Sequence, residues 1–254
     1  MWLLHEATCR LDAPVARRLW EEDMSLVGMM LVKDSRNFHG WNYRRIVVAE
    51  LESPALEGSS MVESEFDYTT KMIKANLSNF SAWHNRSKLI PRLLDERNAD
   101  DVARRKFLDD GAFGALLECP YTLTNLLEFD IMKNALWVDS TDQSLWFYYQ
   151  FLLATIISRA AHEIIVPGFT QADRIGYIDR QLLFLNDLLD GAEDSKWIYN
   201  ALIDCTTAIW EMKGHQIPLE ARHDMKMWIN ELRKVDPLRS GRWDELAGTL
   251  GLED

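Results

Sequence analysis

The chain has 254 residues, 47% of them apolar and 27% charged, and a formal net charge of −12. That length can bury a full core, and the acid excess excludes sequence-independent binding to nucleic acid or to an anionic lipid surface. Three scattered cysteines, Cys9, Cys119 and Cys205, make neither a disulfide framework nor a zinc site of Cys pairs, and they fit a cytoplasmic protein.

The start, Met1 to Glu6, has no basic stretch and too short an apolar run for a signal peptide. Asp12-Ala13-Pro14 gives a capped helix start with an early proline. Val15, Leu19, Leu26 and Met30 are expected as the stripe of that helix. Asn37-Phe38-His39-Gly40-Trp41-Asn42-Tyr43-Arg44 opens a second helix. Val62 to Leu77 is expected as a third, with Phe66, Ile73 and Leu77 on one face. Asn79-Phe80-Ser81-Ala82-Trp83-His84-Asn85-Arg86 opens a fourth.

The charged stretch Asn98 to Gly114 is expected as a helix plus loop between repeats. Its Asp100-Asp101 and Asp109-Asp110 are solvated charge rather than an acid–base pair. A helix from Asn125 to Leu136 leads to Asp142-Gln143-Ser144-Leu145-Trp146-Phe147-Tyr148-Tyr149. Ile164-Ile165-Val166-Pro167-Gly168 is the sole candidate for a strand. Ile178, Leu182, Leu185 and Leu189 mark the helix before Ser195-Lys196-Trp197-Ile198-Tyr199-Asn200. Pro218 precedes a run with Met225, Trp228, Ile229 and Leu232 that ends before Asp236-Pro237. No run approaches the ~20 apolar residues that cross a bilayer, so no membrane insertion is expected.

Ten Trp is a high count and directs attention to repeats. The motif segments share a frame: Asn or Asp, then Trp four residues later, then Arg after three more in the first two copies. Those positions share one stripe of a helix. The first residue can cap the helix by accepting a backbone N–H bond. The indole then packs one turn in, and the Arg reaches toward a neighbouring helix. Trp83 follows Trp41 by 42 residues, enough for two helices and two turns, so the unit is a helical hairpin. The expected fold is all-α: a crescent-shaped, right-handed superhelix of helical hairpins in one domain over 1–254. Its repeats centre near 41, 83, 146 and 197.

These copies, with the run from Lys196-Trp197 to Val235-Asp236-Pro237-Leu238-Arg239, resemble protein prenyltransferase α subunits, and among them the Rab geranylgeranyltransferase type. The resemblance implies a crescent around a barrel-shaped β subunit. That partner carries the catalytic zinc and most of the lipid pocket, so no cofactor is expected on this chain. The implied reaction passes a geranylgeranyl group from its diphosphate to a cysteine thiolate of a Rab GTPase presented by an escort protein. The chain alone would be inactive.

In the family, a lysine that helps neutralise the leaving diphosphate belongs to a repeat before the Asn37 motif, which this sequence does not contain; Trp2-Leu3-Leu4 resembles the tail of that repeat. His39 matches a family position near the diphosphate and the αβ interface, and Asn37, Trp41 and Arg44 match positions that shape the same region. Trp83, Arg86, Trp146 and Trp197 are expected as structural anchors of the repeats. Two other readings compete. One is the α subunit shared by the CaaX farnesyltransferase and the type-I geranylgeranyltransferase. The other is a helical-repeat scaffold without catalysis. His5 and Cys9 stand four apart without further ligands nearby, so no metal site is expected.

Overall fold

A computed structural model describes residues 5–6, 8–108, 127–157 and 165–252. The described residues form helices joined by turns, with no strand among them. The chain divides into two compact units, Met1–Asn98 and Ala99–Asp254.

The first unit contains α1 (Ala13–Lys33), α2 (Phe38–Leu51), α3 (Val62–Ala75) and α4 (Phe80–Glu96), with a 3₁₀ turn at Pro54–Leu56. Helix α1 starts after Asp12 with Pro14 in its first turn. A proline is tolerated there because the first turn has no intrahelical N–H partner to lose. Its buried residues are Ala16, Trp20, Val27 and Leu31. The expected stripe lies one residue round the helix, and the structure exposes Val15, Leu26 and Met30. Both stripes are apolar, so periodicity alone could not choose between them. The choice is made by α2 and the 3₁₀ turn, where Val47, Leu51 and Leu56 close over Ala16 and Trp20.

The 42-residue period allows a direct comparison within this unit. Met72 on α3 is 3% exposed, whereas Met30, one period earlier on α1, is 58% exposed. Helix α3 meets α2 across that face, where Trp41 packs on Tyr68 with ring centroids 5.7 Å apart. Helix α3 ends at Ala75, two residues short of the expected Leu77, and Asn76 caps it in an extended conformation.

The second unit contains α5 (Asp101–Leu108), α6 (Glu128–Val138), α7 (Gln143–Ile157), α8 (Gln171–Leu189), α9 (Lys196–Lys213), α10 (Leu219–Val235) and α11 (Ser240–Thr249), with a 3₁₀ turn at Pro237–Arg239. The Asp100 side chain accepts from Ala103 N at 2.8 Å and so starts α5, beyond being solvated charge. Asp109-Asp110 and the first residues expected in α6 lie outside the described residues. Helix α8 carries a capping box, in which Thr170 and Asp173 satisfy each other's backbone N–H groups. Helix α10 ends at Val235, as the Asp236-Pro237 step requires. Its Met225, Ile229 and Leu232 pack with Tyr199, Ile203, Trp243 and Leu252 in one core cluster.

Of the strand expected at Ile164–Gly168, Ile164 lies outside the described residues, and no strand forms over 165–168. Residues 165–168 make bends and a turn, and Ile165 and Val166 are buried there. The apolar run is explained by burial of a connector, and Pro167 supplies no N–H for a ladder.

Candidate functional site

The first three motif helices enter the structure by the same device, a side-chain oxygen that accepts a first-turn backbone N–H. Asn37 Oδ1 accepts from Gly40 N at 2.8 Å, and Asn79 Oδ1 accepts from Ala82 N at 3.1 Å. Asp142 Oδ1 accepts from Ser144 N at 2.7 Å. One turn in, the indole N–H donates to the carbonyl six residues back: Trp41 to Ser35 O at 2.9 Å, Trp83 to Leu77 O at 2.7 Å and Trp146 to Ser140 O at 2.8 Å. The three indoles are at most 2% exposed. Burial supplies the apolar stabilisation, and the carbonyl meets the N–H that burial would otherwise strand.

The fourth copy differs from expectation at the anchor. Tyr199, not Trp197, stands four residues after Ser195, and its hydroxyl donates to Glu193 O at 2.9 Å, six residues back. Trp197 is half-buried and rests edge-on against Phe147 at 6.1 Å. The large indole drew attention away from the smaller ring that keeps the spacing.

The carbonyls are shared between neighbouring hairpins. Ser35 O also accepts from Asn79 Nδ2 at 2.7 Å, so one peptide oxygen links the entry of α2 to the entry of α4. Ser140 O likewise accepts from Ser195 Oγ at 2.8 Å, linking α7 to α9.

A further repeated position escaped the sequence reading. Fourteen residues before each cap stands a polar acceptor: Asp23, Glu65, Glu128 and Gln181. Arg44 grips Glu65 with two bonds, Nε to Oε2 at 2.8 Å and Nη2 to Oε1 at 2.6 Å, while its guanidinium lies 3.5 Å over the Tyr68 ring. Tyr149, which replaces Arg in the third motif, donates to Gln181 Oε1 at 3.4 Å. Asp23 accepts from Tyr43 and Glu128 from Tyr148, each tyrosine standing six residues after its cap. Arg86 reaches Thr69 and Thr70 on α3 at 3.3 and 2.8 Å, and it covers Phe66. The offset of fourteen was visible in the sequence. Following only apolar periodicity hid it.

With the indoles and arginines turned inward, the same frame sets an outward row on α2 and α4. Phe38, His39, Asn42 and Arg45 are exposed on α2, and Phe80, His84 and Lys88 on α4. Arg45 is held by Asn42 Oδ1 and Asn85 Oδ1, both at 3.0 Å, so the cation bridges the two helices. The Phe80 ring stacks on His84 at 5.9 Å. Partial burial, with Lys88 and Arg45 nearby, lowers the His84 pKa below the ordinary imidazole value, which favours its neutral form. The structure thus places His39 in the exposed row. Asn37, Trp41 and Arg44 lie beneath it, as cap, core anchor and buried ion-pair partner.

Among the described residues no group of three or more His, Cys, Asp or Glu could hold a metal ion, and no helix is long and apolar enough to cross a membrane.

The capped, indole-anchored hairpins define an all-α helical-repeat protein. Residues 20–51 and 62–93 match the family described as protein prenyltransferase alpha subunit repeat, so the first unit carries two stretches similar to that repeat. It is 30% identical to a Geranylgeranyl transferase type-2 subunit alpha of Schizosaccharomyces pombe, over 89% of this chain and 61% of that one. It is 28% identical to the protein of the same name from Candida albicans, over 97% of this chain and 66% of that one. The chain therefore spans just under two-thirds of the length of these relatives. Among solved structures it is similar to Candida albicans protein geranylgeranyltransferase-I complexed with GGPP. That likeness has a TM-score of 0.37 and 17% identity, over 91% of this chain and 84% of the other, and is too loose to carry weight.

Proposed function

We propose that this chain is the α subunit of a Rab geranylgeranyltransferase. In this reading it works in the cytoplasm as a heterodimer with a zinc-bearing β subunit. The pair transfers a geranylgeranyl group from geranylgeranyl diphosphate to carboxy-terminal cysteines of Rab proteins brought by an escort protein. The main support is kinship with type-2 α subunits over 89% and 97% of this chain.

The outward row of α2 and α4 supports the reading chemically. Negative charge gathers on the diphosphate as its bond to the lipid breaks, and positioned cations and donors lower the energy of that state. Arg45 is pre-set by its two asparagine contacts, and Lys88 and His39 lie exposed on the same two helices. In an acidic chain this is a local reversal of sign. We assign His39 to the diphosphate side of the αβ interface, with Asn37, Trp41 and Arg44 fixing the helix that carries it. The zinc belongs to the partner, where it would supply the reactive thiolate.

The test is co-expression with a type-2 β subunit, followed by lipid transfer to a Rab–escort complex and, separately, to a CaaX peptide. The chain alone should be inactive and the heterodimer active on the Rab. His39→Ala should lower turnover roughly ten-fold or more with Tm unchanged, as expected for a lost donor at developing charge. Failure to form a heterodimer, or transfer to the CaaX peptide alone, would overturn the reading. Equal losses of turnover and stability would return His39 to a packing role.

A further inference from the structure

One cluster of reactive side chains lies outside the repeat frame. Cys9 is exposed, and its Sγ lies 3.8 Å from Nε2 of His5, one helical turn back. The other ring nitrogen, Nδ1, lies 2.9 Å from Oε1 of Glu50 on α2. Carboxylate, imidazole and thiol therefore follow one another in line. A carboxylate on Nδ1 holds the ring proton there and fixes the ring plane, which leaves the Nε2 lone pair toward the thiol.

The surroundings keep this line in place. Thr8 Oγ1 donates to His5 O at 3.0 Å and accepts from the buried Trp20 indole at 3.2 Å, which ties the turn carrying both residues to α1. The nearest other charges on that turn, Glu6 and Arg10, pair with each other at 2.6 Å. The second described cysteine offers a contrast. Cys205 is buried in α9, and burial with Asp204 beside it pushes its thiol up, toward the unreactive protonated form.

We propose that Cys9 is a modification site, activated by His5 and Glu50, that takes small disulfides of the glutathione class. His5 Nε2 accepts the proton of the Cys9 thiol. The thiolate attacks one sulfur of the disulfide, a new S–S bond forms at Cys9 and the old one breaks. The departing thiolate takes the proton from the imidazolium and leaves as glutathione. Cys9 is oxidised to the mixed disulfide, and half of the disulfide is reduced to the thiol, so no other oxidant is needed. His5 and Glu50 are positioning and proton-holding residues, and neither belongs to the repeat frame.

The test treats the whole chain with oxidised glutathione near neutral pH and follows each cysteine by peptide mapping and mass spectrometry. Cys9 should react ~10-fold faster in the folded chain than in the same chain unfolded in urea, the scale expected when a neighbouring base supplies thiolate. His5→Ala should remove that advantage, and added imidazole should restore part of it. Glu50→Gln should remove a smaller share. A purely structural role for His5 would not give imidazole rescue. Equal rates in folded and unfolded chain, or a His5→Ala rate equal to that of the parent, would overturn the proposal.

Discussion

The two units use one frame with different side chains. In Met1–Asn98 both caps are Asn, and both positions seven residues later are Arg. In Ala99–Asp254 the caps are Asp142 and Ser195, and the later positions are Tyr149 and Leu202. What persists in all four copies is a ring donor bonded to the carbonyl six residues back. The comparison separates two requirements. The angle at which a motif helix enters is fixed by a buried ring and its carbonyl. The link to the next hairpin is interchangeable, provided a buried donor meets a buried acceptor. An ion pair does this at Arg44–Glu65, and a neutral pair does it at Tyr149–Gln181.

Substitutions can break that comparison. The largest effect is expected at the anchors. Trp83→Ala should cost about 3–5 kcal/mol by chemical denaturation, because a buried ring leaves a cavity. Trp197→Ala should cost well under half as much, since its indole is only half-buried. Equal costs would mean that the anchor role had been misplaced from Tyr199.

Next come the links. Glu65→Ala leaves the Arg44 charge buried without its counter-ion and should cost about 3–5 kcal/mol. Gln181→Ala removes a neutral partner of Tyr149 and should cost nearer 1–3 kcal/mol. If the two losses match, charge makes no difference to the link. Asn79→Ala removes a cap and the bond to Ser35 O together, and should cost about 1–2 kcal/mol. An Asn79→Asp chain, which keeps the cap acceptor but loses the donor, should fall between parent and alanine variant.

The smallest effect is electrostatic. Arg105 and two hydrogen bonds donated by Thr170, from its hydroxyl and its backbone N–H, hold the Asp173 carboxyl well below the usual carboxylate range. A depressed folded pKa contributes stability above the unfolded value of about 4, and that contribution is lost as pH falls through the folded value. The Tm gap between the parent and Asp173→Asn should therefore be present at neutral pH and close in acid. A gap that widened in acid would reverse the assignment.

The all-α class, the hairpin unit and the first three anchor positions were legible because a capped indole leaves a fixed spacing in the sequence. The fourth anchor was obscured because Trp197 is larger than Tyr199 but stands two residues early. The buried stripe of α1 was illegible because apolar residues cover two adjacent stripes, and only α2 decides between them. The acceptors Asp23, Glu65, Glu128 and Gln181 were missed because polar residues carry no apolar period. Aligning the hairpins on their caps would have exposed them. The exposed row with His39 was only partly legible. The family resemblance suggested that residue, but Arg45 gains its place from Asn85 on another helix, a contact that no local spacing encodes.

The doubly used oxygen of Ser35 has a consequence for how such a chain can change length. The accepting carbonyl always stands two residues before the cap, at Ser35, Leu77, Ser140 and Glu193. One added residue between Ser35 and Asn37 would pull that oxygen away from an indole and an amide at once. Insertions are therefore excluded at this end of a hairpin and must collect at the other. The spacing from Trp83 to Trp146 is 63 residues against 42 for the preceding pair, and all of the excess lies between the end of α4 and the start of α6. The repeat keeps one end at constant length and lets the other drift.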